Sequence, residues 1–222
     1  MDESTGNASF SDLTVDEFMA RLSSAEAVPG GGSASAMAAA LGASLISMVA
    51  ALSTGRPKYA AYESTLARCE AVGHELGAEF LRLADRDAVA YAGYSAALKL
   101  PRETEEQKLA RQSKIQSAAR AASEAPFECV TACTRLVTAA EALAGRSNVN
   151  AASDVLVAAL LGEAAARGAA ENVLINLPST GDEQYADSMR WRVDSALHEV
   201  AATAARTREI VLSGQSREPE SA

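Results

Sequence analysis

Two aspartates and two tyrosines offer the first chemistry. The segment Leu83-Ala-Asp85-Arg-Asp87-Ala-Val-Ala-Tyr91 lies inside a long run with helical spacing. Asp85 and Asp87 would point roughly 200° apart on a helix and cannot share a face. Asp87, Tyr91 and Tyr94 do share one, at i, i+4 and i+7. A carboxyl among tyrosines and alanines in a partly desolvated bundle has its pKa raised, which suits a proton donor. The same spacing also fits a solvated or ion-paired aspartate.

A second cluster is Val28-Pro-Gly30-Gly31-Gly32-Ser33, directly before an alanine-rich run from Ala34 to Ala51. Glycines ahead of a helix leave its first N–H groups uncovered, and with the helix dipole these favour an anion or a polar heteroatom. Ser33 can cap the helix or add a hydroxyl. A flexible loop closed by a cap fits the stretch as well. It is neither a dinucleotide fingerprint nor a P-loop, because no G-x-G-x-x-G and no Gly-Lys-Ser/Thr is present. Asn150 and Asp154 share a helical face, and Asn172 and Asn176 repeat that spacing. Such amides either cap helices or meet a ligand. The basic-aromatic loop Gly55-Arg-Pro-Lys58-Tyr59 could hold an acidic tail or be simply solvated. His74 and His198 stand alone. Cys69, Cys129 and Cys133 lack zinc-type spacing and read as small buried residues in a reducing compartment. No metal motif is evident.

These residues need a scaffold, and the composition says which kind. Alanine dominates, aromatics are only 5%, and β-branched runs are short, so the expectation is helices packed through small side chains. Residues 10–213 read as one all-α domain, a bundle of five to seven helices with no sheet. Met1 to Ser9 reads as disordered and 214–222 as a frayed polar tail. Capping boxes at Thr14–Glu17 and Thr104–Gln107 start helices. A long helix spans Tyr62 to about Leu98, and Leu100-Pro101 ends it. Pro126 is expected to break or kink the next helix, with a further one from Phe127 to about Leu143. Helices from Val155 to about Ile175 and from Asp182 onward complete the set. A net charge of -9 argues against nucleic acid. The N-terminus lacks the pattern of a signal peptide, and the run Ala34 to Leu52 is too rich in Ala, Ser and Gly for a good membrane span. A cytoplasmic protein, free of the membrane, is expected.

Taken in order, these stretches resemble the cyclodeaminase/cyclohydrolase family. The likeness begins at Val28-Pro-Gly-Gly-Gly-Ser-Ala-Ser-Ala36. It continues through Asp85-Arg-Asp87-Ala with Tyr91, Leu100-Pro101, Ile115-Gln116 and Pro126. It closes with Asn150, Ser153-Asp154, Val157-Ala-Ala159, Gly168-Ala169, Asn172-Val173 and Ile175-Asn-Leu177. One departure is Ser147-Asn148, where the family pattern reads Gly-Asn.

The resemblance implies an all-helical homodimer binding a reduced folate, mono- or polyglutamylated, near the subunit interface. It implies conversion of 5-formiminotetrahydrofolate to 5,10-methenyltetrahydrofolate with loss of ammonia, hydrolysis of the methenyl compound, or both. No cofactor beyond the tetrahydrofolate substrate is implied. The catalytic group carries over to Asp87 first and Asp85 second. Gly30, Gly31, Gly32, Ser33, Lys58, Tyr91, Asn150, Asp154 and Asn172 are the candidate substrate contacts for such a folate. Arg56, Lys58, Lys99 and Lys114 are candidates for the glutamate tail. The alternative is a folate-binding or scaffold protein of the same fold without catalysis.

Overall fold

The computed structural model describes residues 9–219. Among the described residues six α-helices make up the fold: α1 Val15–Leu22, α2 Gly31–Ser53, α3 Glu63–Leu98, α4 Glu105–Leu143, α5 Ala152–Asn176 and α6 Glu183–Ser213. No strand occurs among the described residues. Both expected capping boxes form, at Thr14 with Glu17 and at Thr104 with Gln107. Asp182 caps α6 by accepting the Tyr185 N–H, and Gly214 ends it in the left-handed conformation.

The helices approach closely because small residues sit where they cross. A Cβ at Gly73 on α3 would stand 2.8 Å from the Ala43 carbonyl of α2. One at Gly162 on α5 would stand 2.9 Å from a Val137 methyl of α4. Larger side chains fill the spaces between crossings, and Ile46, Leu66, Leu76, Phe80, Leu136 and Leu143 are fully buried. Each contributes roughly 1.5–3 kcal/mol by leaving water. The three cysteines are free and buried in this core. A hydrogen bond with Cys129, then burial, pushes the Cys133 thiol up, so it behaves as a small apolar group.

Four details differ from the sequence expectation. First, α2 starts at Gly31, with Gly30 as a cap that offers no side chain, so Ser33 lies within the first turn and does not cap it. Second, α4 is one continuous helix through Pro126. Proline removes the N–H that would bond the Ala122 carbonyl, and the Asn176 side-chain amide of α5 takes that carbonyl at 3.0 Å. A neighbouring helix therefore repairs the gap that the sequence shows as a break. Third, Ser9 is ordered, capping the short 3₁₀ turn Phe10–Asp12, while the rest of the expected disordered segment, residues 1–8, lies outside the described residues. Fourth, the tail packs back as far as Glu218: Arg217 N–H donates to the Gly145 carbonyl at 3.0 Å, and Arg146 Nε donates to the Glu218 carbonyl at 2.7 Å. Residues 220–222 lie outside the described residues.

The stretches Gly31–Ser53 and Val149–Thr180 are long and apolar enough to cross a membrane by length and composition. In the bundle α2 and α5 pack against each other, and α2 also packs along α3. Leu41, Met48 and Leu52 on α2 and Val157 and Leu160 on α5 stay exposed.

Candidate functional site

The start of α2 faces the last third of α3, and Asp87 is the residue of α3 that meets it. A Cβ at Gly32 would overlap the Asp87 carboxylate, so glycine is the residue that admits a carboxyl at this helix start. The buried Ser33 hydroxyl donates to Asp87 Oδ2 at 3.2 Å and to the Ala84 carbonyl at 3.1 Å. Burial pushes the Asp87 carboxyl above its ordinary value, and hydrogen bonds from the Ser33 side chain and backbone pull part of the way back. The uncovered helix terminus expected to receive a ligand anion thus receives a carboxylate of the chain itself.

A cleft of about 370 Å³ opens beside this pair. Gly30, Gly31 and Gly32 form one wall, Asp87, Tyr91 and Tyr94 a second, and Asn172, Ile175 and Asn176 a third. The volume falls in the range of small-molecule sites, roughly 300–1,000 Å³. Asn172 Nδ2 donates to the Gly168 carbonyl at 2.8 Å, and Asn176 Nδ2 donates to the Ala122 and Asn172 carbonyls. Both amides are thereby oriented by backbone, with their nitrogens engaged. The Tyr94 hydroxyl pairs with Ser179 Oγ at 2.8 Å.

The other expected residues fall elsewhere. Asp85 points the opposite way, accepting Ser9 Oγ at 2.5 Å and the Phe10 N–H at 2.8 Å. It anchors the N-terminal turn and lies outside the cleft. Ser33 is fully buried behind Asp87 and reaches the cleft only through it. Lys58 lies in a separate cleft of about 320 Å³ with Tyr59, Asn148 and Gly214, its ammonium 5.4 Å from the Tyr59 ring centroid. Asn150 is exposed and Asp154 half-buried, near the start of α5. Asp154 and Asn172 stand about 27 Å apart along that helix at ~1.5 Å per residue. Ser147 needs no glycine, because no residue other than glycine has a positive φ among those described.

Tyr94, Ile175 and Asn176 line the cleft without being among the substrate contacts expected from the sequence. The signals were available: Tyr94 shares a face with Asp87, and Asn176 with Asn172. What the sequence does not display is the partner, since the task of Asn176 depends on a proline fifty residues earlier on another helix.

A family model described as formiminotransferase-cyclodeaminase matches residues 14–195. A methenyltetrahydrofolate cyclohydrolase of Methylorubrum extorquens is 34% identical over 200 residues, covering 90% of this chain and 96% of that protein. The formimidoyltransferase-cyclodeaminase of Rattus norvegicus is 36% identical over 194 residues, which are 87% of this chain and 36% of the rat protein. The chain therefore spans about a third of that longer relative. The crystal structure of a formiminotetrahydrofolate cyclodeaminase from Thermotoga maritima superposes with a TM-score of 0.83 at 25% identity, covering 91% of this chain and 98% of that one.

Proposed function

The chain belongs to the formiminotransferase-cyclodeaminase family, and on that premise we propose that it is a folate one-carbon enzyme. It acts as a 5-formiminotetrahydrofolate cyclodeaminase, a 5,10-methenyltetrahydrofolate cyclohydrolase, or both, with Asp87 as the proton shuttle. The observation that carries this reading is one partly buried carboxyl, raised in pKa, on the wall of a ligand-sized cleft.

The chemistry asks for little else. In deamination N10 of the folate attacks the carbon of the protonated formimino group (an amidinium) on N5 and forms a tetrahedral adduct that carries an amino group. The Asp87 carboxylate takes the proton that N10 must lose. It then gives that proton to the amino group, the C–N bond breaks, and ammonia departs. The methenyl product is a cation, which the regenerated carboxylate stabilises. In the hydrolysis water attacks the same carbon, and the same carboxyl moves the proton between water oxygen and ring nitrogen. A raised pKa serves both halves, because the carboxylate becomes a better base while its acid still releases the proton.

The walls suit a flat heterocycle. Gly31 and Gly32 put backbone at its edge without side chains, and Tyr91 offers a ring face. The oxygens of Asn172 and Asn176 are the acceptors left for ring N–H donors, since their nitrogens are engaged. Holding N5 and N10 together supplies much of the rate. The substrate itself carries the reacting groups, and the reading calls for no further cofactor or metal. The apolar side chains left exposed on α2 and α5 fit a second copy of this chain, hence a homodimer. Three free thiols fit the cytoplasm.

The test is absorbance of the methenyl chromophore with purified protein. Its appearance from 5-formiminotetrahydrofolate establishes deamination. Faster loss from 5,10-methenyltetrahydrofolate than in buffer establishes hydrolysis. Folate binding by calorimetry without either change would replace the enzyme by a binding protein.

A further inference from the structure

A proline inside a helix is costly, because it removes a backbone N–H and crowds the carbonyl four residues back. Pro126 stands buried in the interior of α4. The carbonyl it leaves unbonded is that of Ala122, and Ala122 lines the Asp87 cleft. The Asn176 side chain of α5 occupies that carbonyl. Its Nδ2 donates to the Ala122 carbonyl at 3.0 Å and to the Asn172 carbonyl at 2.7 Å. A primary amide has two N–H donors and one oxygen. Both donors of Asn176 are spent on carbonyls, so the amide has a single orientation. Flipping it would set its oxygen against two other oxygens. Asn176 lines the cleft, and the oxygen is the group it has left to offer there. Asn172 is tied within its own helix, to the Gly168 carbonyl at 2.8 Å, whereas Asn176 is also held from across the helix boundary.

We propose that Pro126 is a positioning residue of the cleft: it frees the Ala122 carbonyl to fix the Asn176 amide, which then presents a rigid acceptor to an N–H of the bound heterocycle. The proposal rests on the folate reading of the cleft, and it adds a residue that acts on the substrate only through Asn176. In an unbroken helix the Ala122 carbonyl would point along the axis to its own N–H. Proline denies it that partner and turns it off the axis. Helix α4 thus gives up one bond of its ladder, and the bond reappears between α4 and α5 at the cleft wall. The gain is pre-organisation. An amide free to flip would offer donor and acceptor in turn, and ordering it on binding would cost affinity. Locked, it accepts a heterocycle edge that carries N–H and repels one that carries a lone pair.

The test is a double-mutant cycle on the full chain. It reads KM and kcat for the folate substrate that is turned over, and Kd by calorimetry for 5-formyltetrahydrofolate, the oxygen isostere of the formimino compound. Asn176→Ala removes the acceptor and should raise Kd and KM about tenfold, the scale of one hydrogen bond. Pro126→Ala keeps the asparagine but supplies an N–H that draws the Ala122 carbonyl back to the axis. It should raise both constants about three- to tenfold while kcat stays within about threefold. In the Asn176→Ala background the same change should move Kd and KM by less than about twofold, because nothing is left to position. There it should raise the melting temperature, since its N–H takes the carbonyl that Asn176→Ala orphans. Pro126→Val supplies the same N–H and refills the space of the ring, so it decides the matter if the alanine variant packs poorly. Effects that multiply in the double variant would show that Pro126 acts through packing and would overturn the proposal. Wild-type Kd and KM in the Pro126 variants would overturn it too, with the folate reading still standing. Neither binding nor turnover of folates by the wild type would overturn that reading, and the positioning role with it.

Discussion

The two ends of the α2–α5 pair look alike in sequence and differ in the fold. Each end gathers glycine, serine, asparagine and a tyrosine next to helix termini, and each opens a cleft of a few hundred Å³. At the end near Lys58 the polar groups close on one another. The Asn148 N–H donates to Ser53 Oγ at 2.8 Å, and the Val149 N–H donates to the Tyr59 hydroxyl at 3.2 Å. The Tyr62 hydroxyl donates to the Arg217 carbonyl at 2.8 Å, and Arg217 N–H reaches Gly145. At the end near Asp87 one carboxyl is held by a single serine, and two amides keep their oxygens uncommitted. Cleft volume does not separate the two ends. Incomplete satisfaction of a buried group does, because such a group stores binding and proton-transfer capacity that a closed network has already used.

The contrast breaks most visibly at Asp87. Asp87→Asn keeps the shape and removes the proton shuttle, so kcat/KM should fall by about 10²–10⁴-fold. The same change should not weaken the fold at neutral pH. A carboxyl whose folded pKa lies above its unfolded value favours folding below the unfolded value. That contribution is lost as pH rises through the raised folded pKa, leaving a buried charge at pH 7. Asparagine carries no such charge, so the melting temperature of the variant should equal or exceed wild type at pH 7 and lose that margin at pH 4. Retention of kcat/KM within about threefold would remove Asp87 from the chemistry.

How much of this was legible depends on which residue is asked about. Capping boxes, the long α3 and the Asp87–Tyr91–Tyr94 face follow from local spacing, and local spacing survives folding. Spacing separates Asp85 from Asp87, and the third dimension adds what each one faces: Ser9 and Phe10 for the first, Gly32 and Ser33 for the second. Pro126 misled because its missing hydrogen bond is repaired from α5. Lys58, Asn150 and Asp154 fall away from the Asp87 cleft, because polarity near a helix terminus is common to caps and sites and spacing along the chain does not tell which end of the bundle a residue joins.

The closed end should fail in the opposite way. Ser53 is fully buried, accepts the Asn148 N–H and donates to the Val49 carbonyl. Ser53→Ala leaves a buried amide without a partner and should cost about 1–3 kcal/mol of stability, read as a lower denaturation midpoint in urea. Below the transition its kcat/KM should stay within about twofold of wild type. A collapse of kcat/KM with stability intact would show that this end reaches the chemistry, as a partner subunit's surface would if it closed over the cleft.

The finest separation comes from the serine that holds Asp87. As the shuttle is drawn, the resting group is the carboxylate, which must first accept the N10 proton, so kcat/KM should fall as pH drops through the Asp87 pKa. Ser33 favours that carboxylate by donating to it. Ser33→Ala removes the donor and should move the acid limb of the profile to higher pH, with little loss on the plateau above it. A packing defect of the same size would lower the profile at every pH and leave the limb where it was, as Ser53→Ala should. A limb that stays put in Ser33→Ala, with kcat/KM otherwise near wild type, would assign the titrating group to the substrate. Asp87 would then remain as an electrostatic support for the methenyl cation and not as its proton carrier.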